Sequence, residues 1–140
     1  MRLVVDHLLD ASPDSVFDVV ADLDRYPAWI GIVHSSRGVG DGAWEVELRA
    51  RIGPFARSKR LRMERIVTTP PHHVRFERRE NDGRTHGEWI LDVKIEQQGT
   101  RSRLEMVLSY SGRLWSSVVE KVLHDEIEAS KSRLAELVAG

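Results

Sequence analysis

The sequence contains no cysteine, and this absence removes several kinds of chemistry from consideration. Disulfides, thiolate metal sites and thiol nucleophiles are all excluded. An excess of charge is also lacking, because 21 Lys and Arg stand against 22 Asp and Glu, a formal net charge of -1. Such a balance provides no bulk attraction to nucleic acid or to an acidic membrane surface.

Long apolar runs are missing as well. None approaches the roughly 20 residues of a membrane-spanning helix, and residues 1–10 do not form the apolar block of a signal peptide. We therefore expect a cytoplasmic protein with no membrane span. The 140 residues suit one domain, 1–140, and with 41% hydrophobic residues such a chain buries enough surface to fold without a metal or a disulfide.

The first 30 residues predict a strand followed by two short helices. Apolar residues crowd the segment from Arg2 to Asp10, which is too short for a stable helix. Ser12 is a good N-cap and Pro13 suits the first helical position, so a helix should begin there. Asp24 is expected to cap the second helix, which should end near Gly31.

Between residues 33 and 110 the hydrophobic period becomes two, which predicts antiparallel strands. The segment from Trp44 to Ile52 alternates apolar with charged residues almost without error. Turn signals separate the strands at Gly53-Pro54, Pro70-Pro71, Asn81-Asp82-Gly83 and Gln98-Gly99. We expect a meander of six strands, with the first strand of the chain closing an edge.

The segment from Leu114 to Val138 predicts a long amphipathic helix, because apolar residues recur every three or four positions. At 1.5 Å per residue it would be about 37 Å long, more than the roughly 28 Å diameter of a globule of this size. The pattern therefore predicts an α+β fold whose curled antiparallel sheet wraps around this helix. An opening between the two is where a ligand would lie.

Residues 11–29 read ASPDSVFDVVADLDRYPAW. This segment resembles the opening of the START-like helix-grip superfamily (SRPBCC), and more narrowly of its bacterial polyketide cyclase/dehydratase and lipid-transport group. It is also similar to coenzyme Q-binding proteins and ribosome-associated toxins of that superfamily. The resemblance implies a helix-grip fold with a hydrophobic cavity for a lipid, a quinone or a polyketide-like molecule. It implies no reaction, since members include catalysts, carriers and sensors.

The residues expected to line such a cavity are large and apolar. Aromatic rings supply contact area, and an indole N–H can also bond a ligand oxygen. The alternative is that they only fill the core. The candidates are Trp29, Trp44, Leu48, Met63, Phe76, Trp89, Leu91, Met106, Tyr110, Trp115 and Val119.

Three polar residues are candidates for orienting a substrate oxygen if the protein is a cyclase or dehydratase. Strand alternation places Arg65 and Arg78 on the inner face, where an unpaired arginine is costly. Tyr110 would offer a hydroxyl. The alternative is that each arginine lies at a strand end or past a bulge and points to solvent.

The six histidines lack the spacing of a zinc site, so we expect no metal and no cofactor. His34 and His86 are the candidates for a general base. Nothing in the sequence decides the oligomeric state.

Residues 49–65 form a basic hairpin in which Arg49, Arg51, Arg57, Lys59, Arg60, Arg62 and Arg65 stand against Glu64 alone. The simpler interpretation is a solvated outer sheet face, paired with carboxylates of neighbouring strands. The alternative is a surface for RNA or the ribosome, although no aromatic residues interleave there to stack on bases. Three functions thus stay open: an apolar-ligand carrier, a cyclase and an RNA- or ribosome-binding protein.

Overall fold

The computed structural model describes residues 2–52, 54–111 and 117–139. The helices are α1 (Pro13–Val20), the 3₁₀ helix η1 (Leu23–Ala28) and α2 (Ser117–Ala139). The strands are β1 (Arg2–Leu9), β2 (Val33–Gly40), β3 (Ala43–Ile52), β4 (Phe55–Thr69), β5 (His73–Arg78), β6 (Trp89–Gln98) and β7 (Arg101–Tyr110). The predicted order of elements is confirmed. Residues 112–116, including the expected start of the long helix at Leu114, lie outside the described residues.

The first two helices begin at polar caps. The Ser12 hydroxyl accepts a hydrogen bond from the Ser15 N–H at 3.2 Å, as predicted for the start of α1. The cap of η1 is Asp22, whose Oδ1 accepts from the Asp24 N–H at 3.0 Å. The prediction that Asp24 caps this helix was therefore wrong, because Asp24 lies inside the first turn and supplies the N–H that the cap satisfies.

All seven strands form one antiparallel sheet in the order β1-β7-β6-β5-β4-β3-β2. Strands β2 to β7 are joined in sequence as a meander, and β1 pairs with β7 along its whole length. The predicted six-stranded meander with the first strand at an edge is confirmed. The α+β helix-grip fold is confirmed with it.

The connection between β5 and β6 is longer than the tight hairpin expected at Asn81-Asp82-Gly83. It covers residues 79–88, since β5 ends at Arg78 and β6 begins at Trp89. Asp82 organises it by accepting hydrogen bonds from the Arg84 N–H at 2.9 Å and from the His86 ring at 2.9 Å. The chain does turn at Asn81-Asp82-Gly83, as predicted. The turn is an Asx-type turn within a longer loop, however, and not the tight hairpin that was expected.

The inner face of the sheet is apolar because alternate residues of each strand point to the same side. Trp44 of β3 lies opposite Met63 of β4, and both are buried. The helix α2 covers part of this face and buries Leu123, Leu134 and Val138. The core is therefore a single layer between the concave sheet and the helices.

Arg65 lies on the inner face, as predicted, and not in solvent. Its Nη1 donates to the carbonyl of Ala21, the C-cap residue that follows α1, at 2.8 Å. Its guanidinium lies 5.5 Å from the centre of the Trp44 ring. A cation at the carbonyl end of a helix is stabilised by the unpaired carbonyls there. Arg65 therefore ties β4 to α1.

Replacement of this arginine tests the tie. We expect Arg65→Met to lower the free energy of unfolding by about 1–3 kcal/mol, because it removes a charge-assisted hydrogen bond and a cation–π contact. Arg60→Met on the same strand is the control, since Arg60 is 84% exposed and its ion pair with Glu47 is long at 3.6 Å. We expect about 0.5 kcal/mol or less there. Equal losses in urea unfolding would contradict the tie.

Candidate functional site: the inner pocket

A pocket of about 140 Å³ lies between the sheet and α2, and we call it the inner pocket. On the sheet side its walls come from β1, β2, β3, β4, β6 and β7. On the helix side they come from η1, the segment after η1, and α2. Nearly all lining side chains are apolar. They include Leu3, Val5, Leu23, Tyr26, Ile30, Ile32, Val33, Val46, Leu61, Leu104, Leu108, Leu123, Ile127 and Leu134.

Several residues expected in such a site do line the inner pocket: Trp29, Leu48, Met63, Trp89, Leu91 and Met106. Trp44 and Phe76 are buried but are not among the lining residues. Their rings pack edge to face with centroids 5.7 Å apart. These two residues belong to the core next to the pocket. They fit the alternative that the large apolar residues only fill the core.

The remaining expected residues lie beside the pocket or outside the described residues. Tyr110 is buried but is not a lining residue, and its ring stacks on Trp89 with centroids 5.0 Å apart. Trp115 falls outside the described residues. The side chain of Val119 does too, although its backbone belongs to α2.

Neither arginine candidate lines the inner pocket. Arg65 is engaged with Ala21 and Trp44 as described above. The Arg78 side chain is only 8% exposed, and its Nε donates to Glu80 at 3.1 Å. Its Nη1 donates to the Gly87 carbonyl at 3.3 Å, and its Nη2 lies 3.2 Å from His86 Nδ1. Arg78 is therefore paired at the end of its strand and holds the 79–88 connection.

The histidines proposed as bases are also placed outside the inner pocket. His86 is held between Arg78 and Asp82. His34 lies on β2, half exposed and 3.8 Å from a Glu47 oxygen. No group of three or more His, Asp or Glu side chains suited to a metal ion occurs in residues 2–52, 54–111 and 117–139.

The sequence interpretation missed His7, which does line the inner pocket. His7 follows Leu3 and Val5 at alternate positions of β1, so it shares their inner face. The alternation of inner and outer residues that placed Arg65 on the inner face would have placed His7 there too. Lys131 and Ser130 of α2 complete the few polar residues of the lining.

The environment of His7 disfavours protonation of its imidazole. Burial lowers the pKa of the imidazole below its usual value, and the positive charge of Lys131 lowers it further. The carboxylates of Glu128 and Asp6 and the backbone of Lys131 act in the opposite direction but do not prevail. Its Nε2 is buried and has no hydrogen-bond partner among the described residues.

Two indole nitrogens of the lining share this property. The Nε1 atoms of Trp29 and Trp89 are buried and lack partners within the described part of the chain. Trp29 is 3% exposed and Trp89 is 5% exposed. A buried N–H without an acceptor costs about 1–3 kcal/mol, so such groups need an explanation.

A latch joins α2 to the segment that forms one wall of the pocket. The Gly31 N–H donates to Glu126 Oε1 at 2.7 Å, and Arg133 donates to the same oxygen at 2.9 Å. Arg133 also donates to the Trp29 carbonyl at 3.3 Å. A side chain at position 31 would collide with the carboxylate, because a Cβ there would lie 2.4 Å from Glu126 Oε1. A larger residue would force the Glu126 carboxylate, which lies at the end of a flexible side chain, to move, so glycine allows this approach.

The basic hairpin divides between the two faces of the sheet. On the inner-face side of the register, Arg57 lies opposite Ala50, Lys59 opposite Leu48 and Arg65 opposite Phe76. Arg60 and Arg62 face outward, opposite Glu47 and Glu45. On the outer face Glu47 lies within 3.8 Å of side-chain nitrogen atoms of His34, Arg49 and Arg60. Arg62 pairs with Glu64 at 3.0 Å. The simpler interpretation, a solvated face of paired charges, describes this arrangement.

The chain matches the family model described as "Polyketide cyclase / dehydrase and lipid transport" over residues 2–139. The chain belongs to this family. The resemblance noted for residues 11–29 thus extends over the fold. None of the proteins with a curated function matches the sequence. In the described residues, no helix is both long and apolar enough to cross a membrane.

Solved structures of the same fold are similar in shape but distant in sequence. A conserved protein from Geobacillus kaustophilus gives a TM-score of 0.78 at 13% identity, covering 99% of this chain and 95% of that one. A START superfamily protein from Mycobacterium smegmatis gives 0.72 at 14%, covering 99% and 97%. The Zhui aromatase/cyclase from Streptomyces sp. R1128 gives 0.70 at 13%, covering 99% and 93%. At these identities the likeness shows the fold.

The lowered pKa of His7 predicts a loss of stability in acid. Below the unfolded-state pKa of about 6.5, the unfolded chain takes up a proton that folded His7 resists, so stability falls as the pH falls towards the folded pKa. We expect His7→Leu to lose less stability than the wild type between pH 7 and pH 5 in urea titrations. The other five histidines are common to both proteins. Parallel pH profiles would contradict the assignment.

The latch predicts an unequal effect of two glutamates on α2. We expect Glu126→Ala to lower the free energy of unfolding by about 1–2 kcal/mol, because the Gly31 N–H and Arg133 lose their common acceptor. Glu128→Ala is the control, since the Glu128 side chain is 54% exposed and pairs only with Lys131 three residues on. A change of about 0.5 kcal/mol or less is expected there. A larger loss for Glu128→Ala than for Glu126→Ala would refute the latch.

Proposed function

We propose that the protein binds an apolar small molecule in the inner pocket and acts as a binding or carrier protein. The observation that carries this proposal is the composition of the lining: apolar side chains from six strands, η1, its following segment and α2 converge on one space. Concave apolar sites with few polar groups are typical of small-molecule binding. Lipids, quinones and polyketide-like molecules share the required apolar body.

The size of the pocket limits how the ligand is accommodated. Pockets for drug-sized ligands measure about 300–1,000 Å³, whereas a cavity of about 150 Å³ holds one benzene ring. At about 140 Å³ the inner pocket, in the shape described, accepts a group of roughly one ring. A longer ligand therefore requires part of the wall to move. The segment around Gly31 is the part that is held to α2 by a few polar contacts, those of Glu126 and Arg133.

A cyclase or dehydratase is the second candidate, supported by the family description. The arginines that would orient a substrate oxygen are already bonded to protein groups: Arg65 to the Ala21 carbonyl and Arg78 to Glu80. Neither lines the inner pocket. The geometry therefore favours binding over catalysis by those residues.

RNA or ribosome binding through the basic hairpin is the third candidate. It needs arginines that are free to meet phosphates. On the outer face Arg60 and Arg62 have carboxylate neighbours in Glu47 and Glu64. Arg37 of β2 is likewise paired with Glu45 at 2.8 Å. These ion pairs lower the case for phosphate binding by Arg37, Arg60 and Arg62.

Calorimetric binding of toluene, an uncharged apolar probe whose single ring matches the size of the inner pocket, tests the proposal. Leu108 lines the inner pocket, and its neighbour Val107 faces outward opposite Val4. We expect Leu108→Trp to weaken probe binding by about tenfold or more, because the indole occupies the space that the probe needs. Val107→Trp is the matched control and should bind like the wild type. No binding by the wild type, or equal weakening in both variants, would reject the inner pocket as the site.

A further inference from the structure

We propose that the free edge of β1 is the docking surface for a second copy of this chain, and that the two β1 strands pair antiparallel with Val4 opposite Val4. The pairing joins two seven-stranded sheets into one continuous sheet. It goes beyond the proposed function, since it does not depend on what the inner pocket binds.

The first observation is that the edge of β1 is unprotected. Among the described strands, β1 pairs only with β7, and it does so in an unbroken register. Edge strands of monomeric proteins are usually protected by proline, bulges or covering segments. No proline and no bulge occurs in β1. The opposite edge differs, because the register of β2 on β3 shifts twice, once at each end.

The second observation is apolar surface on both faces of this edge. On the outer face Val4 is 57% exposed and Leu8 is 44% exposed, the highest values for large hydrophobic residues in the described part of the chain. Val107 of β7 lies beside Val4 on that face. On the inner face Leu3 and Val5 are only partly buried. A strand added at this edge therefore covers apolar side chains on both faces at once.

Symmetry and charge select one register for two copies. A two-fold axis perpendicular to the sheet keeps each face on its own side, so only positions of the same face can lie opposite each other. With the axis at Val4, Arg2 lies opposite Asp6 of the second copy and Leu3 lies opposite Val5 of the second copy. An axis at Asp6 sets two carboxylates opposite each other, and an axis at Val5 sets Val4 against a carboxylate. Both are unfavourable.

The local charges suit the register centred on Val4. Arg2 lies opposite Ser109 and makes no ion pair within the described residues. Asp6 accepts a hydrogen bond from Arg103 Nε at 3.0 Å, but it also lies opposite Glu105, a like charge. A second cation beside Asp6 is therefore favourable. Because exposed ion pairs contribute little energy, these contacts set the register more than the strength.

Cysteine substitution tests this register, because the chain has no cysteine of its own. Residues directly opposite each other on antiparallel strands have Cα atoms about 4.5–5.5 Å apart, which a disulfide can span. Under mild oxidation with diamide, we expect Val4→Cys to form a disulfide-linked dimer about tenfold faster than Leu8→Cys, whose position has no partner in this register. Val39→Cys is the matched control, an exposed valine on the other edge strand.

The cross-linking pattern decides between pairing and collision. Equal rates for the three cysteine variants would indicate random encounters and would overturn the proposal. A mixture of the Val4→Cys and Leu8→Cys proteins should give mainly the Val4→Cys homodimer. If the mixed disulfide dominates instead, the axis lies at Asp6 and the proposed register is wrong.

Sedimentation velocity of the wild type tests the association itself. We expect a dimer that dissociates on dilution, because strand pairing at one edge buries little area. Val4→Lys should weaken dimerisation about tenfold or more, since it sets two ammonium groups at the axis, and Val39→Lys should leave it unchanged. Both positions are exposed, and urea unfolding checks that both variants fold. A wild type that stays monomeric up to about 1 mM would refute the proposal and leave this edge to a strand of another protein.

Discussion

One constraint underlies this structure: a seven-stranded sheet with one apolar face has few helices to cover it. The apolar face arises from strict alternation in the strands, and leaving it in water would be costly. The sheet curls so that α1, η1 and α2 can cover the concave side. A curved surface and straight helices do not meet everywhere, and the inner pocket is the space that remains. The outer face can stay in water because its charges pair across strands.

The same constraint explains where polar groups are tolerated inside. Arg65 is stable on the inner face because it meets the open carbonyl end of α1 and the face of Trp44. Arg78 is stable because it lies at a strand end among Glu80, His86 and the Gly87 carbonyl. His7, Trp29 and Trp89 are different, since each has a buried nitrogen without a hydrogen-bond partner among the residues that the structure describes.

Most of the fold was predictable because it follows from hydrophobic period. The alternation of apolar and charged residues predicts strand β3, and Ser12 with Pro13 predicts the start of α1, without reference to the rest of the chain. The turn residues between the strands then predict the meander. The errors arose at the ends of elements, where neighbouring polar residues compete for the same local role. Asp22 accepts the capping hydrogen bond expected of Asp24, and the longer 79–88 connection replaces a tight hairpin. The site was predicted less completely. Alternation identified Met63 and Trp89 as inner, but whether a residue such as Phe76 faces space or another ring depends on the curvature of the sheet. The same alternation would have placed His7 on the inner face, because it follows Leu3 and Val5 at every second position of β1.

The central claim is that the inner pocket holds an apolar molecule. Native mass spectrometry of the protein as purified, followed by organic extraction and identification of what is released, tests it most directly. The account predicts an added mass that is lost on denaturation and belongs to an apolar compound, since a dry apolar pocket retains such ligands. A mass equal to that of the bare chain, together with no thermal shift across a panel of lipids, quinones and aromatic polyketides, would contradict it.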